Sequence, residues 1–88
     1  LRKELTIVNK LGLHARPAAM FVKVSSAHDA EITVEKDDEQ VNGKSIMGLM
    51  MLGAGMGDEI TISADGEGAE AAVNSLAELV EAKFHEAE

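Results

Sequence analysis

The chain has 88 residues, 45% of them apolar, a size that fits a single domain over residues 1–88 with a compact and shallow core. It has no cysteine, tryptophan or tyrosine and only two phenylalanines, which excludes disulfides and thiolate metal sites and removes the aromatic platforms that base stacking needs. Its net charge is −8, and residues 45–88 carry one basic side chain, Lys83, against nine acidic ones, so neither nucleic acid nor an anionic membrane is an expected partner.

In chain order, residues 2–8 read as a strand, with Leu5 and Ile7 on one face and Glu4 and Thr6 on the other. Asn9-Lys10-Leu11-Gly12 breaks it. The period then changes: Ala18, Phe21, Val22 and Ser25 fall at helical spacing, so a helix from Ala15 or Arg16 to Ser26 or Ala27 is expected. Residues 31–35 alternate again, with Ile32 and Val34 inward, and Lys36-Asp37-Asp38-Glu39 reads as a hairpin turn into a short return strand over 40–42.

Ser45 offers an N-cap for a short helix over 46–52, with Gly53 behind it, although so apolar a run also fits a buried strand. A strand over 59–64 places Ile60 and Ile62 inward. Ala69, Val73, Leu76, Val80 and Phe84 trace the stripe of a last helix running from Ala69 to about Phe84, with Lys83 in its final turn. Four amphipathic strands share one apolar face, and three helices can cover it. The expected fold is α+β: a βαββαβα open-faced sandwich of a four-stranded antiparallel sheet with three helices on one face. No apolar run approaches the ~20 residues of a membrane span and no signal-peptide pattern opens the sequence, which makes the cytoplasm the expected location.

The chemistry concentrates where the first strand gives way to the first helix, at Gly12-Leu13-His14-Ala15-Arg16-Pro17. Pro17, the only proline, suits a first helical turn, where a missing N–H costs nothing. The other amides of that turn lack intrahelical partners and carry the positive end of the helix dipole. Gly12 permits a tight turn before the histidine, and Arg16 can reach an anion held beside it. A neutral imidazole is a nucleophile, so His14 is the candidate to carry a phosphate, with Arg16 and the loop Gly12, Ala15 and Pro17 around it. His28 and His85 read as solvated, and no His, Asp or Glu set stands at metal-ligand spacing; no metal or cofactor is expected.

A second motif, Gly43-Lys44-Ser45-Ile46-Met47-Gly48-Leu49, follows at the start of the short helix. Together with Gly12–Pro17 it makes the whole chain resemble HPr, the histidine-containing phosphocarrier family of the bacterial phosphotransferase system. The resemblance implies that His14 takes phosphate on Nδ1 from phosphorylated enzyme I and hands it to IIA domains of sugar permeases, as a stoichiometric shuttle more than an enzyme. It implies that Arg16 helps to hold the phosphate, and that Ser45 is a site for HPr kinase/phosphorylase, with a catabolite-control transcription factor as a further partner. Retention of His14 argues against the regulatory paralogues that lack it; a regulatory or nitrogen-branch paralogue, read by a transcription factor or an enzyme, is the alternative. Ile46, Met47 and Met50, with Ala19 and Lys23 past the histidine, form an expected partner surface, whereas Leu49 and Leu52 are expected in the core.

Overall fold

The computed structural model describes residues 1–86. Its elements run β1 (Arg2–Thr6), α1 (Ala15–Ser26), β2 (Glu31–Lys36), β3 (Glu39–Asn42), α2 (Ile46–Met51), β4 (Glu59–Asp65) and α3 (Ala69–Glu81), followed by a tight turn over Lys83–His85. This is the expected βαββαβα open-faced sandwich, with an antiparallel sheet in the order β1-β4-β2-β3.

The period-2 pattern of each strand fixes the register, because a one-residue slip would turn every apolar side chain to the wrong face. Leu5 stands opposite Ile60, Val34 opposite both Ile62 and Val41, and Ile32 opposite Ala64. All but half-buried Val41 are buried beneath the helices, where they meet Ala18 and Phe21 of α1, Leu49 of α2 and Val73, Leu76 and Val80 of α3. The hairpin turn is tighter than the sequence suggests. Only Asp37 and Asp38 lie between β2 and β3, and Asp37 takes a left-handed φ of 55°.

α3 departs from expectation at its end. The regular helix stops at Glu81, and Lys83, Phe84 and His85 adopt left-handed φ values of 57°, 55° and 60°. Phe84 is nevertheless 1% exposed. Its apolar side chain reaches the core through a reversed turn instead of one more helical turn, so the stripe that suggested a longer helix reports burial correctly and backbone incorrectly. Lys83 accordingly lies beyond the helix. Three consecutive left-handed non-glycine residues are costly, of order 1–2 kcal/mol each, and burial of the phenylalanine ring offsets part of that.

Among the described residues, no helix is long and apolar enough to cross a membrane.

Candidate functional site at the start of α1

The loop that precedes α1 is held from both sides. Ile7 donates its N–H to the Asp58 carbonyl (2.9 Å) and accepts from Gly57 (2.8 Å), and Leu13 donates to the Ala54 carbonyl (2.9 Å). The chain turns at Gly12, whose φ is +69° and whose Cβ, were there one, would stand 2.3 Å from the Ala54 oxygen. Only glycine satisfies that conformation and that space together. These bonds tie the residue 7–13 loop to the segment that follows α2, so the start of α1 lies beside the chain that leaves the C-terminal end of α2.

His14 is the N-cap of α1, with extended backbone (φ −80°, ψ −170°), and its side chain makes no capping hydrogen bond. The ring is left for other work. Pro17 is buried in the first turn, Ala15 and Arg16 are exposed, and no acidic residue of α1 neutralises the positive end of the helix. Ala15, Ala19 and Lys23 follow one another at four-residue spacing along the exposed face of α1. Arg16 lines a cavity of about 610 Å³ with Lys10, Leu11, Met20, Phe84, His85 and Glu86, and among the described residues it has no ion-pair partner.

Two residues at this site have no signal in the sequence. The Nε2 of His14 lies 2.9 Å from Oε2 of Glu86, and Asn9 donates from Nδ2 both to the Gly12 carbonyl (2.9 Å) and to Oε1 of Glu86 (3.0 Å). Asn9, a strand breaker in the sequence, is fully buried. The turn at Lys83–His85 delivers Glu86 to a histidine 72 residues earlier in the chain. Polar loop asparagines and acidic chain ends are too common for either to stand out in a sequence.

Ser45 caps α2: its Oγ accepts from the Gly48 N–H at 3.0 Å. Ile46, Met47 and Met50 are exposed, while Leu49 and Leu52 are buried. The exposed apolar surface is wider than expected, because Met51, Met56 and Leu11 are also largely exposed, each above 60%. A buried serine, Ser25 of α1, donates to the Gly43 carbonyl at 2.7 Å, and Lys44 donates from Nζ to the His28 carbonyl at 2.7 Å. Both bonds fix the approach to α2 against the C-terminal end of α1. His85 is exposed and His28 half-buried, and among the described residues no three His, Asp or Glu side chains gather as metal ligands would.

Residues 1–82 match the family described as PTS HPr component, phosphorylation site. The phosphocarrier protein HPr of Pseudomonas aeruginosa is 46% identical over 86 residues, covering 97% of this chain and 96% of that one. The phosphocarrier protein NPr of Shewanella violacea is 45% identical over 87 residues, covering 99% and 96%. The crystal structure of HPr-C-His from Thermoanaerobacter tengcongensis superposes with a TM-score of 0.96 at 46% identity, covering 100% of this chain and 99% of that one. The fold is thus that of the small phosphocarrier proteins of the phosphotransferase system. The chain belongs to the HPr family.

Proposed function

We propose that this protein is a single-domain phosphocarrier in which His14 accepts a phosphoryl group on Nδ1 from phosphorylated enzyme I and passes it to IIA domains of sugar permeases in the cytoplasm. The observation that carries this reading is an imidazole, 36% exposed, placed at the start of α1 without serving as its hydrogen-bonding cap. Arg16 and the first-turn amides stabilise the added charge. A phosphoramidate must be held without being trapped, and an open site with one guanidinium suits a group that is to leave again.

Ile46, Met47 and Met50, continued by Ala19 and Lys23, form the partner surface; methionine side chains adapt to several partners in turn. Ser45 stands at the N-terminus of α2, beside that apolar surface. A phosphate placed there by HPr kinase/phosphorylase is compatible with the helix. It weakens docking by adding charge to the patch, and a catabolite-control transcription factor is the reader that the modification would serve.

Incubating the protein with phosphoenolpyruvate and enzyme I should yield an acid-labile, base-stable phosphate on His14. Labelling of a His14→Ala variant to the same extent would overturn the assignment. A second reading, a nitrogen-branch carrier, is favoured by the similarity to the NPr of Shewanella violacea. Comparing transfer from the sugar-branch and nitrogen-branch first enzymes separates the two.

A further inference from the structure

We propose that Glu86 is a positioning residue for His14, holding the imidazole in the tautomer that presents Nδ1 as the nucleophile. The inference rests on the phosphocarrier reading given above and deepens it. An ionised carboxylate only accepts hydrogen bonds, so the 2.9 Å contact between Glu86 Oε2 and His14 Nε2 places the shared hydrogen on Nε2. In a neutral imidazole the other nitrogen then carries the lone pair.

The carboxylate is itself held. Asn9 is fully buried and donates through Nδ2 to the Gly12 carbonyl and to Glu86 Oε1. Turning that amide over would set its oxygen against a carbonyl and a carboxylate, so the amide nitrogen is fixed toward Glu86. Behind Glu86, the left-handed turn at Lys83–His85 is anchored by the buried Phe84. Glu86 therefore reaches His14 from a packed base, with its own side chain only 16% exposed.

This arrangement serves both directions of transfer. In the accepting step the Nδ1 lone pair forms a bond to phosphorus, and the donor's phosphoimidazole bond breaks with its electron pair returning to the donor nitrogen. No proton leaves His14. The ring gains positive charge as the new bond forms, and Glu86 on the opposite nitrogen offsets it. In the donating step the positively charged ring is the better leaving group; Nδ1 takes its electron pair back while the hydrogen remains on Nε2.

The test uses the full chain, labelled with nitrogen-15, and correlates the ring nitrogens of His14 with its carbon-bound protons in the neutral, unphosphorylated state. Wild type should show the Nε2–H form almost alone. Glu86→Gln and Glu86→Ala should show both tautomers, with His28 unchanged as an internal reference. The rate of phosphoryl acceptance from phosphorylated enzyme I should fall roughly tenfold in Glu86→Ala, the size of one charge-assisted hydrogen bond. An Nδ1–H form in wild type, a tautomer ratio that ignores both substitutions, or a shifted ratio with an unchanged acceptance rate overturns the proposal. The tautomer measurement needs no phosphoryl donor. It can therefore fail while wild type is still labelled on His14, and it can succeed even if that labelling fails.

Discussion

Gly12 is the residue on which the geometry of His14 depends. A side chain there must adopt an unfavourable φ of +69° and also push aside the backbone oxygen of Ala54, which cannot swing away as a flexible side chain could. Gly12→Ala should lower the unfolding free energy by at least about 2 kcal/mol, measured by urea melting. It should also loosen the Leu13–Ala54 hydrogen bond, visible as faster amide exchange at Leu13. His14, Arg16, Pro17 and Gly12 could be found in the sequence because their chemistry is packed into six adjacent positions. Asn9 and Glu86 could not, since what makes them part of the site is a contact that only the folded chain creates.

At the scale of the element, α2 shows how little holds a helix of six residues. It is too short to be stable by itself, and it depends on the Ser45 cap, on burial of Leu49, and on the Ser25 and Lys44 bonds at its approach. Ser45→Ala should cost about 1 kcal/mol of stability, the usual loss for a missing cap. Ser45→Asp retains an acceptor for the Gly48 amide and should cost little stability, yet it should weaken transfer from enzyme I by placing a charge beside Met47. Unchanged transfer kinetics in Ser45→Asp would remove the partner-surface assignment.

The serine-to-helix pattern of α2 was readable because capping is local. The end of α3 was not. A stripe at helical spacing states which side chains are buried, and Phe84 is buried; it does not state that the backbone between Val80 and Phe84 stays right-handed. Two backbone paths put the same ring in the same core.

Across the whole molecule, the helices cover one face of the sheet and leave the other polar, with Glu4, Glu31, Glu35, Glu59 and Asp65 among its residues. The order of elements and the face each presents follow from periodicities of 2 and 3.6. The strand order β1-β4-β2-β3 does not, because nothing in β1 by itself specifies which strand will lie beside it. That order has a kinetic consequence. β1 and the β2–β3 hairpin share no edge, so the sheet closes only when β4 enters between β1 and β2, and Leu5 meets Ile60 across most of the chain. Loop-closure entropy must be met before the contacts that repay it form. Ile62, fully buried and paired with both Lys3 and Val34, belongs to that step. In stopped-flow experiments Ile62→Val should slow folding by most of its equilibrium effect, whereas Val41→Ala at the edge hairpin should chiefly speed unfolding. The strand made last is the one that turns two separate pieces of sheet into one.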